Sequence, residues 1–154
     1  MSCCIFKFQG NGEMFDELDI YKQSGHFIFR RGQSLLMVSK DVPESAGIYM
    51  IYLLRKGKVE LAYIGASGTI NQKGKFSTQL LKGRINNKQD GIKRQAFFEE
   101  NMEKDTSIEA LDIYWYVTFE KNIQHLPGYV EAILLQRYFD VHGCLPEWNK
   151  KFPT

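Results

Sequence analysis

The chain has 154 residues, of which 25% are charged and 44% hydrophobic, with a formal net charge of +2. These values suit one globular domain with a single substantial core and exclude a disordered, highly charged chain. No apolar run approaches the ~20 residues that a bilayer span needs, so no membrane partner is expected. The opening MSCCIFKFQG lacks both a basic region and a long apolar stretch, which argues against a secretory signal. Cys3, Cys4 and Cys144 have no metal-ligand spacing and read as reduced thiols of a cytoplasmic protein.

Residues 1–41 read as an N-terminal extension. Segments 4–8 and 26–29 suggest short strands or edge pieces, with Gly10-Asn11-Gly12 as a turn. Residues 47–54 and 59–65 are apolar at nearly every position, the pattern of paired strands covered on both faces. Register has a consequence here. Pairing Tyr49 with Gly65 and Ile51 with Tyr63 puts both tyrosines on one face and calls for an odd-length loop. A two-residue Lys56-Gly57 turn would put them on opposite faces.

Residues 76–87 read as a helix with Ser77 as N-cap and Leu80, Leu81 and Ile85 as its apolar stripe. Lys88-Gln89-Asp90-Gly91 breaks that helix, and residues 92–104 begin another. Residues 111–119, LDIYWYVTF, form a strong third strand, and residues 127–142 a last helix ended by Gly143. The order β-β-α-α-β-α predicts an α+β fold, a small mainly antiparallel central sheet flanked by helices. Residues 42–152 would form its core, within a single domain over 1–154.

Charge is unevenly distributed. Lys73, Lys75, Lys82, Arg84, Lys88, Lys93 and Arg94 face a single acid, Asp90, in that stretch. Such a face would meet a nucleic-acid backbone, although a solvated helix surface looks the same. Glu131 interrupts the apolar run Val130-Glu-Ala-Ile-Leu-Leu135. Burying a carboxylate is costly, so it calls for a cation: a Mg²⁺ ion, or an ordinary helix-start ion pair.

Taken in order, Gly47-Ile48-Tyr49, Tyr63-Ile64-Gly65, Arg84, Glu131 and Asn149 resemble the GIY-YIG nuclease family over roughly residues 42–152. The resemblance implies a metal-dependent DNA endonuclease whose site comprises Tyr49, Tyr63, Arg84, Glu131 and Asn149, with Mg²⁺ (or Mn²⁺) on Glu131. In that reading Tyr49 is the general base or a relay to it, Arg84 holds the phosphate, and Tyr63 and Asn149 orient the reacting groups. Where many members carry a histidine four residues after the arginine, this chain has Lys88. The loop over residues 66–75 is also longer than the family's usual step, which makes Lys82 a competitor to Arg84. A chain of this size points to the small, restriction-like members, where cutting both strands takes a homodimer or sequential nicking. The alternative is a non-catalytic DNA-binding module on the same fold.

Overall fold

A computed structural model describes residues 15–76 and 79–153. The fold is α+β, built on a four-stranded antiparallel sheet. After a 3-10 turn at Asp16–Ile20 come β1 (Ser24–Phe29), α1 (Leu35–Val38), β2 (Ala46–Arg55) and β3 (Lys58–Ser67). Then follow α2 (Leu81–Asn86), β4 (Lys88–Gln89), β5 (Ile92–Lys93), α3 (Arg94–Lys104), β6 (Ile108–Phe119) and α4 (Pro127–His142). The sheet order is β1-β6-β2-β3, so β2 and β6 are central and β3 is an edge. β1 pairs with β6 along its whole length, which builds residues 24–29 into the sheet. No helix among the described residues is long and apolar enough to cross a membrane.

The apolar runs of β2 and β3 reflect burial on both faces, since the first eight residues of β2 are all buried. Tyr49, Ile51 and Leu53 pack on one face against Leu81 and Ile85 of α2 and Phe97, Phe98 and Met102 of α3. Ile48, Met50 and Tyr52 pack on the other face against Val130, Leu134 and Leu135 of α4. Cys144 packs against this second cluster and is disulfide-bonded, in place of the free thiol expected; Cys3 and Cys4 lie outside the described residues.

Tyr49 does pair with Gly65, and Ile51 with Tyr63, but without an odd-length loop. The turn is the two-residue Lys56-Gly57, with Gly57 at φ 72°. A bulge restores the parity: Tyr52 pairs with Leu61, leaving Ala62 as an extra residue in β3. The Ala62 carbonyl accepts the Trp148 N–H at 2.8 Å, so the bulge also docks the C-terminal segment on the sheet edge.

α2 is shorter than the expected 76–87, because Phe76 forms a bridge with Ile70 and its ring sits against Phe119 at 4.9 Å. Ser77, expected to cap it, lies outside the described residues. The Lys88–Lys93 segment breaks the helix as expected but does so as a tight hairpin, so α3 begins at Arg94 and not at residue 92. Asp90 (φ 51°) and Gly91 (φ 85°) occupy its two left-handed positions, as a type I′ turn requires.

Candidate active site

Two adjoining clefts open beside β3, of about 590 and 320 Å³. Arg84, Glu131 and Lys151 line both. The smaller adds Tyr63, Lys88, Gln89, Arg94 and Asn149. The site therefore gathers residues from both faces of the sheet: α2 and α3 on the tyrosine side, α4 on the other.

The two glycines of the tripeptides have separate steric reasons. A Cβ on Gly47 would lie 1.9 Å from the Tyr116 carbonyl oxygen, so the central pairing of β2 with β6 admits only glycine there. A Cβ on Gly65 would lie 2.6 Å from Tyr49 Cζ and 2.6 Å from Tyr63 Cε1. Gly65 thus makes room for two phenol rings on one face, with centroids 5.8 Å apart.

Tyr49 is only 1% exposed and does not line either cleft; Tyr63 is half-buried and does. A molecule in the smaller cleft would meet Tyr63 with Tyr49 behind it, an arrangement that suits the relay alternative for Tyr49 better than direct contact as the base. Beside both rings lies Arg94, 2% exposed. Its Nη2 donates to the Tyr49 hydroxyl at 3.0 Å, and its guanidinium carbon stands 5.3 Å from the Tyr49 ring and 5.6 Å from the Tyr63 ring. Arg94 is therefore no part of the exposed basic face expected of it, but the cation the tyrosines share. Burial and the neighbouring Tyr49 push the Tyr63 phenol above its ordinary pKa, while Arg94 pulls it back.

Glu131 is half-buried in the second turn of α4. Burial raises its pKa to about 7, against a partial lowering by the Arg84 guanidinium. Arg84 itself is exposed and faces the cleft, whereas Lys82 turns away and donates from Nζ to the Lys40 carbonyl at 3.2 Å. That geometry separates the two competitors in favour of Arg84. Lys88 and Lys93 are exposed and directly opposed across the hairpin, a like-charge pairing that a polyanion would relieve. Lys73 and Lys75 are exposed on a loop ordered by the Asn71 side chain, which accepts both of their backbone N–H groups.

Asn149 lines the smaller cleft and ties its amide to the edge strand. Its Oδ1 accepts the Ile64 N–H at 2.9 Å and its Nδ2 donates to the Ile64 carbonyl at 2.8 Å, imitating a paired strand residue. Asn149 thereby holds β3 beside Tyr63, a contact compatible with the orienting role expected of it. Asn149→Ala should lower stability by about 1–3 kcal/mol, since it leaves an edge amide pair unmatched; urea denaturation measures this. An unchanged midpoint would show that the clamp is incidental.

Among the described residues no group of three His, Cys, Asp or Glu side chains could hold a metal ion. The donor set is one hard carboxylate, Glu131, since Asp90 in the smaller cleft pairs with Lys150 at 3.2 Å. That set fits Mg²⁺ or Mn²⁺ retaining most of its water, and not a thiolate- or imidazole-bound metal. No protein-family model, curated protein or solved structure matches the chain.

Proposed function

We propose that the chain is a metal-dependent DNA endonuclease of the GIY-YIG type. The observation that carries this reading is the convergence of Arg84, Glu131 and Tyr63, from three separate elements, on one cleft rimmed by lysines. Hydrolysis of a phosphodiester needs the phosphate charge neutralised, a water deprotonated and the leaving oxygen stabilised. Arg84 would hold a non-bridging phosphate oxygen through its forked donors. Glu131 would hold Mg²⁺ or Mn²⁺, which when bound supplies charge neutralisation and leaving-group stabilisation.

Tyr63 would orient the attacking water at its hydroxyl. Removing that water's proton through a phenol requires a tyrosinate, and Arg94 is the cation placed to stabilise one on either ring. Lys73, Lys75, Lys88 and Lys93 would contact phosphates along the strand, giving salt-sensitive binding. The same reading extends to restriction-like specificity, with both strands cut by a homodimer or by sequential nicking.

Supercoiled-plasmid cleavage with Mg²⁺ tests it. Arg84→Ala should lose at least about a hundredfold in rate, as expected for removing a preorganised charge partner, while Lys82→Ala stays near wild type. Equal loss from both would reduce Arg84 to general basicity. The burial of Tyr49 favours a second reading, a DNA-binding module without turnover. Salt-sensitive DNA binding with no cutting under any divalent metal would support that module instead.

A further inference from the structure

The two adjoining clefts differ in chemistry. Lys88, Arg94 and Lys150 make the smaller one ionic. Among the described residues, the larger is lined by no charged side chain beyond the three it shares with the smaller, Arg84, Glu131 and Lys151. Its other walls include Ile70, Leu126, Pro127, Tyr129 and Pro153. Leu126 is 40% exposed and Tyr129 62% exposed, so a large apolar surface stands open to water at the start of α4. Their backbone is well fixed. The Tyr129 N–H donates to the Leu126 carbonyl at 3.0 Å, and Pro127 presets the first helical turn between them. Just before them His125 is tied to Thr118 of β6 in both directions. Its N–H donates to the Thr118 carbonyl at 2.9 Å, and its carbonyl accepts from Thr118 Oγ1 at 2.9 Å. A flat ligand entering this cleft meets an aromatic platform whose backbone is already in place.

We propose that the larger cleft is a nucleobase subsite, in which an unpaired nucleotide beside the phosphate at Arg84 stacks its base on Tyr129. A nucleotide joins a charged group to a flat aromatic one, and the cleft divides in the same way. Arg84 and Lys151 stand on the wall shared with the smaller cleft, and the phenol ring and apolar side chains lie beyond it. Its 590 Å³ falls within the roughly 300–1,000 Å³ of small-ligand sites. Stacking accepts every base, because every base has a π face. The subsite therefore selects an unpaired base and leaves sequence to other contacts. A base in a duplex must leave its stack to reach Tyr129, which costs least where it is already unpaired or mismatched. The inference rests on the nuclease reading for the phosphate at Arg84, and it adds a substrate class: DNA with an unpaired base next to the cut.

Thymidine 5′-monophosphate and inorganic phosphate, each titrated into ¹⁵N-labelled protein in metal-free buffer and followed by NMR, test the subsite without turnover. The nucleotide should bind about tenfold more tightly than phosphate, with saturable shifts of the Leu126, Gly128 and Tyr129 amide signals, because the stack is the added contact. Tyr129→Leu keeps bulk but loses the π face, and should bring the nucleotide down to the affinity of phosphate. Tyr129→Phe should hold the wild-type affinity. Tyr129 is exposed, so neither variant endangers the fold. Equal affinities in wild type, or a Tyr129→Leu variant that binds the nucleotide as wild type does, overturn the proposal. Competition by DNA then tests the source of the nucleotide. A duplex with a one-nucleotide gap should compete better than its fully paired counterpart, and that advantage should vanish in Tyr129→Leu. Gapped and paired duplexes that compete alike would overturn the placement of a strand's base in the cleft. Nucleotide binding in a protein that cuts no DNA would leave the subsite standing and remove the nuclease reading alone.

Discussion

Glu131→Gln should abolish plasmid cleavage and, in metal-free buffer at pH 8, make the protein more stable than wild type. Both effects have one cause. Burial raises the folded-state pKa of Glu131 from 4.5 to about 7, so folding favours its protonated form. A raised carboxyl contributes stability that is intact below the unfolded-state value and is lost as pH rises through the folded one. Wild type should therefore weaken between about pH 4.5 and 7, and the uncharged amide should not. The gap above pH 7 is at most about 3.5 kcal/mol, from about 1.4 kcal/mol for each pH unit, and smaller because water still reaches part of the carboxylate.

Thermal melts at pH 5 and pH 8, with and without Mg²⁺, check this. The wild-type and Gln curves should converge at pH 5 and separate at pH 8. Mg²⁺ should raise the wild-type midpoint at pH 8 and leave that of the variant alone, because an ion that binds only the folded ionised site stabilises by mass action. Curves that coincide at both pH values would mean that Glu131 is an ordinary solvated glutamate, and the metal assignment would go with it.

Sequence reasoning reached the faces of the strands but not the means of setting them. Unbroken apolar runs at β2 and β3 mark a doubly covered pair, and pairing Tyr49 with Gly65 follows from asking both tyrosines to share a face. The bulge at Ala62 is invisible locally, because what docks on it is the Trp148 N–H from the far end of the chain. Asp90-Gly91 did carry a hairpin signal. It was masked by strands only two residues long, too short for alternation to register.

Arg94 shows the limit most clearly. Beside Lys88 and Lys93 it looks like one more surface charge, yet Phe97 and Phe98 follow at the three- and four-residue spacing of a buried helical face. That spacing was the available clue, and composition outweighed it. The Asn149 clamp on Ile64 was not legible either, since it depends on a contact 85 residues away in sequence.

The second large effect belongs to Gly65→Ala, which should disable cleavage while leaving a folded protein. The added methyl would stand 2.6 Å from carbons of both phenol rings and 2.8 Å from the Tyr49 hydroxyl oxygen, so at least one ring must move. Tyr49 cannot leave its place freely: it is buried, and its hydroxyl accepts from Arg94. Overpacking of this kind costs about 1–3 kcal/mol. Displacing Tyr63 by about an ångström from its place in the cleft costs on the order of a hundredfold in rate. Gly47→Ala is the instructive contrast. There the methyl meets a backbone carbonyl at 1.9 Å, which no rotamer change relieves, so folding itself should fail. Circular dichroism and plasmid cleavage on the two variants separate the cases: Gly47→Ala loses structure, and Gly65→Ala keeps its structure but loses rate. A Gly65→Ala variant that cleaves as fast as wild type would show that the ring pair is packing alone, and that Tyr63 has no part in the proposed chemistry.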